Sequence, residues 1–108
     1  MTDAIVKIEP DKSLARASVL RADQHPAMVY LARLSPGSRR TMRESLDIVA
    51  GLLTGGTANA ESLDWPAMRY QHVAAVRTRL ASTYRPSTAN KILAAVRGTL
   101  KECWRPGY

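Results

Sequence analysis

The sequence predicts an all-α protein, a compact bundle of four to five helices. Apolar residues recur with helical spacing in four successive stretches, turn-forming residues separate these stretches, and no segment has the pattern of a convincing strand. The chain has 108 residues, the size of one domain, and 45% of them are hydrophobic. Because phenylalanine is missing, we expect a core of aliphatic side chains completed by tryptophan and tyrosine.

The first 23 residues differ from the rest of the chain. They show no sustained helical or strand period, and Pro10 interrupts their short apolar run, Ala4-Ile5-Val6-Lys7-Ile8. Four basic and four acidic side chains leave this segment without net charge. We therefore divide the chain into a flexible N-terminal arm, residues 1–23, and a helical domain, residues 24–108.

The first two predicted helices are joined by a short turn. The first runs from about His25 to Leu34, with Pro26 in its first turn, where the missing N–H costs nothing. Ser35-Pro36-Gly37 predicts the turn, and the second helix runs from about Ser38 to Leu53. Glycines 55 and 56 predict its end. Its apolar side chains form one stripe: Met42, Leu46, Val49 and Leu53.

The last two predicted helices follow a linker of small residues, Thr54 to Asp64. Asp64 is the expected N-cap of a third helical stretch, which continues to about Thr83. The last helix runs from an N-cap at Ser87 or Thr88 to about Trp104. The third apolar face comprises Tyr70, Val73, Val76 and Leu80, and the fourth comprises Ala89, Ile92, Leu93, Val96, Leu100 and Cys103.

The balance of charge is the first observation that bears on function. Sixteen basic residues against nine acidic ones give a formal net charge of +7, all of it between Gln24 and Tyr108. Such an excess is typical of domains that bind a nucleic acid or an anionic membrane surface. The sequence contains neither a signal-peptide pattern nor an apolar run of the roughly 20 residues that span a membrane. Its single cysteine, Cys103, cannot form an internal disulfide, and we expect a cytoplasmic protein with an inert thiol.

The outward face of the last predicted helix is the strongest candidate for a binding surface. Lysine and arginine there would reach phosphates, and asparagine can read adenine in the major groove. A mid-helix glycine, Gly98, costs about 1 kcal/mol relative to alanine, so either close approach to DNA or tight packing against another helix must compensate. For each residue taken singly, a solvated face is the alternative. The face comprises Ser87, Asn90, Lys91, Ala94, Arg97, Gly98 and Lys101.

The start of the second helix is a further candidate. Hydroxyls, open backbone N–H groups and three guanidinium groups meet there at the positive end of a helix dipole, which favours anions. We favour phosphate binding, with neutralisation by Glu44 and Asp47 as the alternative. We also expect this helix start and the one near Ser87 to turn their cationic sides toward one face. The residues concerned are Ser38, Arg39, Arg40, Thr41 and Arg43.

The sequence offers little to an enzyme. His25 and His72 have no cysteine or carboxylate at metal-ligand spacing, and Thr54-Gly55-Gly56-Thr57 lacks the lysine of a phosphate-binding loop. No Gly-x-Ser-x-Gly elbow occurs. We expect no metal, no cofactor and no catalysis by this chain.

From about Pro26 to Tyr108 the chain resembles the core-binding domain of tyrosine recombinases, the phage-integrase family. The resemblance lies in three segments in order, namely Tyr30-Leu31-Ala32-Arg33-Leu34 with the following residues 35–42, Leu63-Asp64-Trp65, and residues 85–104. Each motif alone is loose, and their order and spacing together are more specific.

This resemblance implies a SAM-like bundle that lies across one face of double-stranded DNA, with a covalently linked C-terminal catalytic domain completing a clamp. The family's catalytic arginines, lysine, histidines and nucleophilic tyrosine have no match, so we expect a non-cutting fragment of a bacterial or phage-encoded integrase. The resemblance also allows that copies of this domain associate with one another on DNA. The family's DNA contacts match residues 38–43 and 87–91, which gives the full candidate set Ser38, Arg39, Arg40, Thr41, Arg43, Ser87, Thr88, Asn90, Lys91, Arg97 and Lys101.

A basic helical module that binds another protein is the alternative function. It predicts that the conspicuous surface is apolar rather than cationic. A basic helix that lies on a membrane ranks third, because acidic residues interrupt the polar faces.

Overall fold

Four α-helices and one 3-10 turn form the described part of the protein, which is residues 25–103 of a computed structural model. These residues contain no strand, so the predicted all-α bundle is confirmed. The predicted N-terminal arm lies outside the described residues. The elements are α1 (Pro26–Ala32), α2 (Pro36–Thr54), the 3-10 turn Trp65–Ala67, α3 (Tyr70–Thr83) and α4 (Pro86–Cys103).

A buried histidine begins α1. The Nδ1 atom of His25 accepts hydrogen bonds from the backbone N–H groups of Ala27 and Met28, at 3.2 and 3.4 Å. Its Nε2 atom lies 2.6 Å from the carbonyl oxygen of Glu61, so the ring carries its proton on Nε2. His25 is therefore an N-cap that also ties α1 to the loop after α2, a role that the sequence analysis did not assign.

Helix α2 begins two residues earlier than predicted, and it ends at the glycines, as predicted. Ser35 is its N-cap, and the Oγ atom of Ser35 accepts a hydrogen bond from the N–H of Ser38 at 3.4 Å. Pro36 occupies the first helical position, which suits its fixed φ angle. Gly55 ends the helix with φ 68°, a left-handed conformation that favours glycine.

The predicted linker of small residues is an ordered loop. Its backbone is fixed by side chains of α2: Asp47 Oδ1 accepts from the N–H of Ala60 at 2.8 Å, and Thr54 Oγ1 accepts from that of Ala58 at 3.0 Å. The indole of Trp65 donates to the carbonyl oxygen of Ala60 at 2.9 Å and is fully buried. This loop therefore contributes to the core rather than only joining two helices.

The prediction of one continuous third helix from Asp64 was wrong. A 3-10 turn at Trp65–Ala67 is followed by an extended residue, Met68, and α3 begins only at Tyr70. Asp64 makes no side-chain cap; instead the N–H of Arg69 donates to Nδ1 of His72 at 2.9 Å. Tyr70, predicted to lie on the apolar face, is 84% exposed, because as the first residue of α3 it precedes the packed part of the helix.

Helix α4 is the central element, since its contacts with the other three helices are together the most extensive. It begins at Pro86, so Ser87 and Thr88 are first-turn residues rather than N-caps. The predicted apolar face is confirmed for the residues nearest the centre, whereas Leu100 and Cys103 are half-buried. The buried members are Ala89, Ile92, Leu93 and Val96.

Candidate nucleic-acid interface

The N-terminus of α4 presents unsatisfied hydrogen-bond donors. Proline has no N–H to offer at position 86, and the first backbone bond of the helix runs from Ala89 to the carbonyl oxygen of Arg85, at 2.9 Å. The N–H groups of Ser87 and Thr88 have no acceptor among the described residues. A helix N-terminus with open amides and nearby hydroxyls is suited to binding an anion.

The solvent-facing side of α4 is cationic along most of its length. Asn90, Lys91, Arg97 and Lys101 are all exposed, on the side away from the buried apolar residues. None of the four makes a hydrogen bond or an ion pair within residues 25–103. The helix has one acidic residue, Glu102, which is 7% exposed and pairs with Arg33 at 3.4 Å. The charge on this side is therefore available to an external anion.

Gly98 is explained by packing and not by approach to DNA. It is half-buried, and an added Cβ atom would lie 2.6 Å from Cδ1 and 2.9 Å from Cζ of Tyr30 in α1. A methyl group cannot fit beside that ring unless the ring or the helix moves. Of the two reasons that the sequence left open for this glycine, the structure favours helix–helix contact.

The predicted cluster at the start of α2 is largely engaged within the protein. Arg39 donates from Nε to the carbonyl oxygen of Leu31 at 3.0 Å and from Nη2 to that of Leu34 at 2.9 Å. Leu31 lies in the last turn of α1 and Leu34 just beyond its end, so the guanidinium group adds hydrogen bonds to the C-terminal end of that helix. Arg39 thus holds α1 against α2, which the sequence analysis did not anticipate.

The other arginines of this cluster differ from one another. Arg43 forms an ion pair with Glu61 at 3.3 Å, so it is neutralised by the loop rather than by Glu44 or Asp47 as the alternative proposed. Arg40 is exposed and has no partner among the described residues. Of the three guanidinium groups, only that of Arg40 is uncommitted.

The backbone donors at this helix start are partly satisfied, since the N–H of Gly37 alone has no acceptor among the described residues. Ser35 accepts from the N–H of Ser38 through Oγ and from that of Arg39 through its carbonyl oxygen, at 3.4 and 2.8 Å. Thr41 is half-buried, and its hydroxyl lies 3.4 Å from the carbonyl oxygen of Gly37. Ser38 itself is exposed. This helix start is therefore a weaker anion site than that of α4.

The structure does not bring the two helix starts together. Tyr30 packs on Gly98 and Arg33 pairs with Glu102, so the end of α1 lies beside the C-terminal part of α4. The start of α2 follows α1 after a three-residue turn and lies near that same end. Ser87 is about 22 Å further along the axis of α4, which rises about 1.5 Å per residue. The two helix starts are therefore separate sites along the bundle.

The charge of the chain is divided unequally between its two helix pairs. Residues 25–64, which contain α1 and α2, have four basic and four acidic side chains. Residues 65–101, which contain α3 and most of α4, have seven basic side chains and no acidic one. The +7 of the whole chain thus equals the charge of this second segment. The pair α3–α4 is the cationic half of the bundle.

A groove between α3 and α4 lies within this cationic half and contains a residue that the sequence analysis missed. Its volume is about 260 Å³, and Arg77 of α3 lines it together with Asn90 and Arg97 of α4. Arg77 and Arg79 lie in the middle of α3, away from a helix start, so the position of Arg77 gave no local signal. The lack of acidic residues over 65–101 is the signal that would have pointed to it.

The described residues give little support to metal binding, membrane spanning or thiol chemistry. They include no cluster of three or more histidine, cysteine or acidic side chains placed to hold a metal ion. None of the described helices has the length and apolar character needed to cross a membrane. Burial, followed by the nearby carboxylates of Asp64 and Glu102, raises the pKa of the Cys103 thiol to about 11, which keeps it protonated at neutral pH.

Similarity to other proteins adds nothing to this description. The assignment of a function therefore depends on the geometry and the charge given above. Comparison of the chain with models of known protein families, with curated proteins and with solved structures finds no match.

Proposed function

We propose that this chain is a double-stranded DNA-binding domain that grips the phosphate backbone through the solvent-facing sides of α3 and α4. The observation that carries the proposal is the charge of residues 65–101, seven basic side chains without an acidic one. A cationic face on a neutral scaffold is the electrostatic footprint of a nucleic-acid-binding protein. We further propose that the domain is of the core-binding type of tyrosine recombinases.

Each candidate on α4 has a distinct role in this proposal. Lys91, Arg97 and Lys101 neutralise phosphates, which supplies affinity but no sequence preference. Asn90 lies among them and is the residue suited to reading an adenine edge. The hydroxyls and open N–H groups of Ser87 and Thr88 donate to a phosphate at the positive end of the helix.

The start of α2 contributes less. Arg40 is available for a phosphate, whereas Arg39 and Arg43 hold α1 and the loop in place. Because this region lies about 22 Å along α4 from Ser87, it would reach a separate part of the duplex, beyond a major groove about 12 Å wide. Arg40 is thus a peripheral contact.

Strand cleavage, in this proposal, belongs to a separate catalytic domain, and the present chain supplies one half of a clamp. With one half alone, a modest affinity is expected, dominated by counterion release. If about four phosphates are neutralised, the affinity for duplex DNA falls roughly a hundredfold between 50 and 200 mM salt.

Fluorescence anisotropy with a labelled duplex tests the proposal. The double variant Lys91→Glu/Lys101→Glu is compared with Arg40→Glu, which also reverses an exposed charge without a partner among the described residues. We expect the α4 variant to abolish binding at 50 mM salt and the α2 variant to weaken it only a few-fold. Binding without salt dependence, or an α4 variant that binds like the wild type, would contradict the proposal.

A second candidate function, docking of another protein, is favoured by a larger cleft of about 570 Å³ between α1 and α2. Apolar residues, among them Met28, Leu31 and Pro36, line this cleft. Three arginines also line it: Arg39, Arg40 and Arg43. An apolar side chain flanked by carboxylates would suit it. If charge reversal of Arg40 leaves DNA binding intact but removes binding of a protein partner, this candidate replaces the first for that surface.

A further inference from the structure

The groove between α3 and α4 combines two chemical features. Two arginines, Arg77 from α3 and Arg97 from α4, belong to its lining, and both are exposed. Tyr84, Ala89 and Leu93 provide an apolar surface between the two helices. The groove therefore offers positive charge together with a hydrophobic wall.

No interaction within the described residues explains why these two arginines line the same groove. Neither makes an ion pair or a hydrogen bond within residues 25–103. No acidic residue occurs in the same segment of chain to balance them. Two guanidinium groups on one groove repel each other, and an anion bound between them relieves that repulsion.

The apolar wall narrows the choice of anion. A nucleic-acid backbone joins each phosphate to a sugar whose carbon atoms have an apolar edge, so one backbone unit matches both the arginines and the apolar side chains. Inorganic phosphate would use only the arginines.

The position of the groove favours DNA over an acidic peptide. Pro86 and Asn90 line the groove and also belong to the first turns of α4, where Ser87 and Thr88 hold their open amides. A phosphate backbone that contacts the start of α4 is thus already at the mouth of the groove. An acidic peptide would have no such continuity with the rest of the cationic face.

We propose that this groove is a phosphodiester clamp, in which Arg77 and Arg97 hold one phosphate and the sugar rests on Tyr84 and Leu93. The clamp thereby assigns a specific DNA contact, Arg77, to helix α3. The inference rests on the proposed function, since it assigns a further contact within the same interface.

The test is the salt dependence of duplex binding by Arg77→Gln, with Arg79→Gln as the matched control. Both variants remove one positive charge from α3, but Arg79 lies roughly 200° around the helix axis from Arg77 and does not line the groove. We expect Arg77→Gln to weaken binding roughly tenfold at 50 mM salt. The slope of log K against log salt should fall by less than the roughly 0.9 that one whole phosphate contributes, because Arg97 still holds that phosphate. Arg79→Gln should leave the slope unchanged.

The double variant Arg77→Gln/Arg97→Gln examines whether the two side chains share one phosphate. Shared contact predicts that the losses of the single variants are non-additive by threefold or more, whereas separate phosphates predict additivity. Additive losses would overturn the clamp. Thermal melts of all variants should match the wild type, because neither arginine has a partner among the described residues.

The outcomes separate the clamp from the proposed function. If the wild-type chain binds no duplex, the proposed function fails and the clamp fails with it. If the wild type binds and Arg77→Gln behaves like Arg79→Gln, the clamp alone fails. Binding of poly-L-glutamate, but not of DNA, with dependence on Arg77 would replace the clamp by a peptide site.

Discussion

Replacing Gly98 by alanine is the sharpest test of how α1 packs on α4. In a helix that made no close contact at this position, the substitution would stabilise the fold by about 1 kcal/mol, because alanine has the higher helix propensity. In this protein the new Cβ atom would lie 2.6 Å from Cδ1 of Tyr30, well inside van der Waals contact. Several atoms of the ring are affected, so a small rotation does not relieve the clash.

The magnitude follows from the balance of these two effects. Overpacking of this kind typically costs about 1–3 kcal/mol, and the gain in propensity offsets about 1 kcal/mol of it. We expect a net loss of up to about 2 kcal/mol, and each kcal/mol lost lowers the melting temperature of a domain of this size by roughly 4–8 °C.

Thermal unfolding followed by circular dichroism provides the assay, and Gly51→Ala in α2 provides the matched control. Gly51 also lies within a helix, but an added Cβ atom there meets nothing within 4 Å, so that variant should be stabilised. In the Tyr30→Leu background, Gly98→Ala should become neutral or stabilising, because the ring is gone. An increase in melting temperature for Gly98→Ala alone, equal to that of Gly51→Ala, would refute the reasoning.

Three further predictions concern polar or ionisable groups that are buried or half-buried. Thr99→Val should leave stability unchanged or raise it by about 0.5–1 kcal/mol, since the Thr99 hydroxyl is buried without a hydrogen-bond partner; a clear loss in urea melts would show that it has one. His25→Ala should lower the free energy of unfolding by about 1–2 kcal/mol, because the N-cap and the hydrogen bond to Glu61 are both lost. His25→Asn should recover part of this loss, and equal losses for the two variants would exclude the capping role. The pKa of Cys103 is raised from 9.0 to about 11, so the wild type should lose stability relative to Cys103→Ala as pH rises from 9 toward 11. Alkylation of the thiol by iodoacetamide should also be slow at pH 8, and rapid alkylation at that pH would contradict the raised pKa.

The sequence predicted the elements whose signals are local. The spacing of apolar residues located the buried side of α4, and Gly55 marked the end of α2, because periodicity and a left-handed glycine need no knowledge of the tertiary structure. The helix starts were less accurate. Pro36 begins α2 two residues before the predicted start, and Pro86 begins α4 two or three residues before it, since proline suits the first helical position better than a helix interior.

The elements that depend on long-range contacts were not predictable. Arg39 looks like an anion ligand in the sequence, and only the fold brings the carbonyl of Leu31 within reach of its guanidinium group. Likewise, His25 has no visible partner until the loop at Glu61 returns to it. The cationic charge was visible, but its restriction to the α3–α4 half became meaningful only once these two helices were seen to form one side of a groove.

The central claim is that the cationic α3–α4 half, and not the start of α2, faces DNA. Two-dimensional ¹H–¹⁵N NMR of the chain titrated with a short duplex at low salt tests it most directly. We expect the largest amide shift changes at Ser87, Thr88, Asn90 and Arg97, with smaller ones at Arg77 and little change at Ser38. Changes concentrated at residues 38–43 with α4 unaffected, or no changes anywhere, would contradict the account.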